Sequence, residues 1–317
     1  MKALALKAFG ILLMLSALAV ALSHAPDRPV ETLVARWAPP PSDFIDLGGQ
    51  VVHLRDEGPR DDPLPLVLLH GTSASLHTWQ GWVAALKDRH RVITLDLPGF
   101  GLTGPWSGQY AGRGYDGDSV ARFVLDVLDA RGVKRFVVGG NSLGGEIAWR
   151  VATLARERVD RLLLVDSGGL PFTSRALPLG WQIARIPVVG RISEWLLPRS
   201  LVEQGVATAY AHPDRISAEL VDRYFELTLR EGNRHALVER LRAWNPGQDA
   251  DRIATLTLPT LILWGRQDRL IPLATGQEFA RRIKGSQLVV FDDLGHVPQE
   301  EDPAQSVAPV KAFLLAR

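Results

Sequence analysis

The chain has 317 residues, 46% hydrophobic and 22% charged, with 29 glycines and 21 prolines. This excludes a disordered or collagen-like chain and leaves room for a core of ordinary size. Lys plus Arg number 36 against 35 Asp plus Glu, with no long run of one sign, so the basic footprint of a nucleic-acid binder is missing. Cysteine is absent, which removes disulfides, thiolate zinc sites, iron–sulfur clusters and cysteine nucleophiles.

The first element is apolar. Two lysines lie within Met1–Lys7, and Ala8–Ser23 then runs for sixteen residues without a charge, the n-region and h-region of a signal peptide. Sixteen residues fall slightly short of the roughly 20 that span a bilayer, and the small-residue site Ser23-His24-Ala25 is followed by an unfavourable Pro26. A cleaved signal and an uncleaved anchor both remain open for residues 1–25. Lysines on the cytoplasmic side put the rest of the chain across the membrane, as a periplasmic or secreted protein or one anchored by residues 8–23. Residues 26–42, with Pro39-Pro40-Pro41, read as a stiff spacer.

From residue 43 short β-branched or leucine-rich runs alternate with helical periodicity, which predicts a mostly parallel sheet covered on both faces. The predicted strands are 43–46, 51–56, 66–70, 91–96, 135–139, 161–166, 260–264 and 287–291. Helices are expected at about 77–88, 117–131, 143–156, 273–283 and 303–315, with Asp116 or Asp118 as one start. Residues 168–251 break the alternation. They are helix-like, rich in proline, and carry Trp181, Trp195 and Trp244, so they read as a helical cap inserted into a core made of 43–167 and 252–317.

At 135–146 the pattern is strand, turn, helix, and the turn reads Gly140-Asn141-Ser142-Leu143-Gly144. In G-x-S-x-G the bend is so sharp that only residues without bulk fit two positions before and two after the serine. Ser142 then projects at a helix N-terminus, where free N–H groups favour developing negative charge. A serine nucleophile needs a base, and the base needs a carboxylate. Asp268 lies just past the strand 260–264, and His296 lies in the loop past 287–291. The order Ser142, Asp268, His296 is the one associated with this elbow.

Together Gly140–Gly144, His70-Gly71, Asp96–Gly101, Trp264–Asp268 and Gly295-His296 resemble the α/β-hydrolase superfamily, in its serine-nucleophile branch with a helical cap. The resemblance spans residues 44–317. It implies an eight-stranded α/β-hydrolase fold with Ser142 as nucleophile, His296 as general base, Asp268 as orienting acid, and an oxyanion hole from the backbone N–H groups of Leu143 and Thr72. Asp166, at the end of the sixth strand, is the rival acid, because some members of the family place it there.

Other features carry less. Gly99–Gly104 fits G-x-G-x-x-G, but a loop follows where a dinucleotide site needs a helix, so no nucleotide cofactor is expected. No ligand spacing suggests a metal. His24, His53, His77, His90, His212 and His235 lack motif context and are expected on the surface or in loops, Asp96 is expected to anchor the loop after it, and His70 is expected to shape the oxyanion turn. The expected activity is hydrolysis of a carboxylic ester with an apolar acyl group. Two alternatives stand beside it. One is the carbon–carbon bond hydrolases of aromatic ring cleavage, which share the Asn-Ser pair but usually carry tryptophan where this chain has Val297. The other is a non-catalytic binding module on the same fold.

Overall fold

The computed structural model describes residues 2–186 and 194–315, and only the backbone of residues 2–5, 8, 16, 19 and 22. Met1, residues 187–193 of the expected cap, and residues 316–317 lie outside the described residues. Eight strands form one sheet: β1 (Ser42–Leu47), β2 (Gln50–Glu57), β3 (Leu66–Leu69), β4 (Val92–Leu95), β5 (Phe136–Asn141), β6 (Val159–Val165), β7 (Thr260–Gly265) and β8 (Gln287–Phe291). Their order is β1-β2-β4-β3-β5-β6-β7-β8. The β1–β2 and β2–β4 pairs are antiparallel, and all others are parallel.

A parallel sheet buried on both faces needs unbroken apolar strands, and alternate residues separate cleanly. Val67, Leu69, Val138, Leu162 and Leu164 join the core under one face. Leu66, Leu68, Val137, Leu163 and Val165 join the core under the other, the period of two expected of a strand. Helices α4 (Gly117–Ala130) and α5 (Leu143–Leu154) cover the first face, and α3 (Gln80–Leu86) with the C-terminal Pro303–Leu315 helix covers the second. The Asp116 side chain accepts the Ser119 N–H and caps α4.

The chain leaves β3 to one side for β4 and crosses back to the other for β5. A reversal of this kind opens a crevice at the carboxyl ends of the two strands. His70-Gly71-Thr72 follows β3 and Ser142 follows β5, so the topology alone brings the turn after β3 beside the elbow. Between β6 and β7 lie four described α-helices outside the sheet: α6 (Leu179–Ala184), α7 (Arg199–Ala209), α8 (Ala218–Thr228) and α9 (Asn233–Ala243).

The N-terminal region departs from expectation. Residues 26–42 are not a free spacer, because they contain helix α2 (Glu31–Trp37), whose Leu33 and Trp37 are buried against Leu102 and Leu227. Trp37 Nε1 donates to Glu226 at 2.7 Å and Arg36 to Glu226 at 2.8 Å. Proline content masked an apolar i, i+4 pair that lies on one helix face. Helix α1 (Lys2–Ser23) precedes it, and its described apolar side chains, Leu6, Phe9 and Ile11–Leu15 among them, are exposed. Among the described residues no helix is long and apolar enough to cross a membrane.

His53 and His77 are also not on the surface. His53 Nδ1 meets Asp96 Oδ2 at 2.7 Å, and His77 Nε2 meets the Trp37 carbonyl at 2.7 Å. Asp96 accepts the Leu76 and Leu102 N–H groups as well, so the loop spanning Gly99–Gly104 wraps a structural anion. Burial alone would raise the Asp96 carboxyl, but the charge and hydrogen bond of His53 hold it well below the usual range.

Candidate active site

Ser142 sits at the tip of β5 with φ 55°, a conformation that costs energy in a residue with a side chain. The two flanking glycines explain how it is held. A Cβ on Gly140 would lie 2.1 Å from the Gly144 carbonyl oxygen, and a Cβ on Gly144 would lie 2.1 Å from the Leu69 carbonyl oxygen. No side chain fits either contact.

His296 Nδ1 and Asp268 Oδ2 are 2.7 Å apart. The other Asp268 oxygen accepts the N–H groups of Leu270 at 2.7 Å and Ile271 at 2.9 Å, so the carboxylate is fixed by the turn that follows β7. The imidazole loop is clamped from three sides. Its backbone N–H donates to Ala209 of the cap at 2.7 Å, its carbonyl accepts the Asn141 amide at 2.8 Å, and the neighbouring Gly295 N–H donates to Glu301 at 2.7 Å. Asn141 also reaches the Val165 carbonyl at 3.2 Å. It was read from sequence only as half of an Asn-Ser pair, yet here it ties the elbow to the histidine loop. Ser142 and His296 line the same cavity. Among the described residues no hydrogen bond joins them, and in a site without substrate such bonds are often long.

The first N–H groups of a helix have no acceptor within it. Among the described residues, neither the Leu143 nor the Thr72 N–H donates to another protein group. His70 fixes the second of these turns. The Leu97 N–H donates to His70 Nε2 at 2.9 Å, so the ring proton sits on Nδ1 and is donated to the Gly71 carbonyl at 2.8 Å. Burial lowers the pKa of this ring and keeps it neutral.

Two compartments flank Ser142. The larger, about 460 Å³, is lined by Ser142, Thr72 and His296 at its floor and by apolar cap residues such as Leu201, Val206 and Leu237. Val297, the residue after the histidine, lines this cavity and packs on Val206. The smaller, about 70 Å³, has Trp181, Trp244, Glu146 and Arg240 in its wall. Sequence reading missed Glu146 and Arg240, which carry no motif. Burial raises the Glu146 carboxyl, although Arg150 opposes it. Arg240 lies over the rings of Phe100 and Tyr115, and burial lowers it to about 10. Trp195 lines neither compartment and is exposed. Asp166, Asp268 and His296 offer ligand atoms within 4.8 Å of one another, the one such cluster among the described residues. His296 Nδ1 and both Asp268 oxygens are already hydrogen-bonded there.

An elbow serine, an imidazole paired with a carboxylate and two free N–H groups, set at the switch point of a mostly parallel sheet, define a hydrolase of the α/β type. The chain belongs to the Alpha/beta hydrolase family, whose model matches residues 66–310. One relative and two solved structures of the same fold are similar to this chain. A 2-hydroxy-6-oxononadienedioate/2-hydroxy-6-oxononatrienedioate hydrolase of Pseudomonas sp. is 30% identical over 82% of this chain and 92% of its own. The structure of a meta-cleavage product hydrolase from Pseudomonas fluorescens IP01 is 23% identical, covers 86% of this chain and 97% of that one, and has a TM-score of 0.73. A bacterial membrane phospholipase A is 23% identical with a TM-score of 0.71, and its match covers 99% of this chain and 98% of its own.

Proposed function

We propose that this protein is a serine hydrolase that cleaves carboxylic esters of apolar acyl groups, including the acyl esters of lipids. The observation that carries this reading is the apolar cavity of about 460 Å³ with Ser142, Thr72 and His296 at its floor. Its wall accepts a hydrocarbon chain, and the smaller compartment on the other side of the serine suits a more polar leaving group. Ser142 Oγ attacks the ester carbonyl while His296 takes its proton, and the N–H groups of Leu143 and Thr72 hold the oxyanion. Collapse expels the alcohol, protonated by His296. Water, deprotonated by the same imidazole, then releases the acid. Asp268 holds the imidazole tautomer throughout.

The likeness to a membrane phospholipase A runs through the N-terminal region as well as the hydrolase body, which supports a lipid substrate. The exposed apolar side chains of α1 support residues 1–25 as an export signal or membrane anchor, with the body periplasmic or secreted. A second reading, hydrolysis of a carbon–carbon bond, is favoured by the names of the Pseudomonas relatives. Val297 and the apolar wall weigh against it.

The test uses the full chain and its Ser142→Ala variant with p-nitrophenyl esters of graded chain length and with a ring-cleavage dienone. The expected result is ester turnover that falls about 10⁶-fold in the variant. Equal rates for both proteins reject acyl transfer, and turnover of the dienone alone establishes the second reading. The mass of the mature N-terminus separates a signal from an anchor.

A further inference from the structure

His296 has two buried carboxyls beside it. Asp166 follows β6 with φ 44°, a left-handed backbone that persists in a residue with a side chain only where its surroundings enforce it. The turn sends its carboxyl beneath the end of β7, where Oδ1 accepts the Gly265 N–H at 2.9 Å. Among the described residues Oδ2 has no hydrogen-bond partner although it is buried, and a buried polar atom without a partner calls for an explanation. The nearest is adjacent: oxygens of Asp166 and Asp268 and a ring nitrogen of His296 lie within 4.8 Å of one another.

Two carboxylates in one dry site cannot both carry charge. Asp268 has two N–H donors and an imidazole to support its anion, whereas Asp166 has a single N–H. The groups that face Asp166 are Asp268, Glu301 and His296. Burial first, and then the charge of Asp268, hold the Asp166 carboxyl well above the usual range, with Glu301 adding to this and the Gly265 N–H opposing it. A proton on Oδ2 finds its acceptor in the Asp268 carboxylate.

We propose that Asp166 is a second positioning residue of the site, a reserve carboxyl that hydrogen-bonds Asp268 in the resting enzyme and takes its place beside His296 when Asp268 is removed. This rests on the Ser142–His296 reading above, but not on the substrate. It predicts a site in which loss of the orienting acid is buffered.

The experiment measures how fast a fluorophosphonate, which reports activation of the serine whatever bond is hydrolysed, labels the full chain. Intact mass is followed across pH 5–10 for wild type, D166N, D268N and the D166N/D268N double variant, with melting temperature as the check on folding. D166N keeps a donor and is expected within about threefold of wild type at pH 7. D268N is expected to lose about 10²-fold, with a rate that climbs with pH as Asp166 ionises, instead of the roughly 10⁴-fold loss typical of a triad without its acid. The double variant is expected to show that full loss and no such climb. Asp268→Ala, alone and with D166N, supplies the same comparison if the amide disturbs folding. A D268N rate no faster than that of the double variant at every pH overturns the proposal. A wild-type chain that fails to label overturns the reading of Ser142 itself.

Discussion

Ser142, Asp268 and His296 are held by hydrogen bonds and by glycines with no space for a Cβ, whereas the walls supplied by α6, α7 and α9 are mostly apolar side chains that meet one another and open space. The first region tolerates little change of shape, because the elbow glycines abut backbone and the Asp268 and His296 side chains are fixed by short hydrogen bonds. The second changes shape whenever a side chain is exchanged. One region therefore sets which bond can be attacked and the other sets what can be brought to it.

The sharpest way to break this contrast is Gly144→Ala. The new Cβ must displace the Leu69 backbone, so a loss of about 3 kcal/mol in stability and at least about 10²-fold in ester turnover is expected, read by denaturant unfolding and kcat. Near-normal values would mean that the elbow is softer than its contacts state. Trp37→Ala probes the packing that joins the N-terminal segment to the cap. Truncating this buried ring and freeing Glu226 is expected to cost about 3 kcal/mol, with a smaller change in short-chain turnover, measured by chemical denaturation beside the ester assay.

Leu201→Phe sharpens the other side of the comparison by filling the larger cavity. The ratio of long-chain to short-chain ester turnover is expected to fall about 10- to 100-fold while the fluorophosphonate rate is unchanged. A uniform drop across chain lengths would place the acyl group elsewhere.

The most gradual effect concerns pH. His77 is lowered to about 3, chiefly by burial, whereas an unfolded histidine titrates near 6.5. Between these values the unfolded chain holds the extra proton, so stability is full above about pH 6.5 and declines as pH falls toward 3, by up to about 1.4 kcal/mol per unit. His70 is lowered in the same direction. Melting temperature between pH 4 and 7 is expected to show a shallower slope in His77→Gln than in wild type.

What could be read beforehand follows the same division. The elbow glycines, the strand-end acid and the loop histidine are local patterns, because the backbone that holds them is local. Asp96 and Asp166 were taken as the last residues of their strands but lie one residue beyond them, each where a side chain turns inward to accept backbone N–H groups from other segments. Glu146 and Arg240 reach the small compartment from different helices, a convergence that no spacing announces. His53 and His77 owe their burial to Asp96 and to the Trp37 carbonyl, both far away in sequence. Leu33 and Trp37 did announce themselves by spacing, and proline-rich flanks outweighed the signal.

The first turns of chain after α1 are stitched to the rim of the cavity. Leu197 N–H donates to the Ser23 carbonyl at 2.9 Å, Ala25 N–H to the Trp195 carbonyl at 3.2 Å, and Arg234, in the cavity wall, donates through Nε to Asp27 at 3.2 Å. A shortened version that starts at the first strand would therefore discard a brace of the cavity rim along with the apolar helix. The sensible place to cut is inside α1, upstream of Ser23, leaving the seam intact.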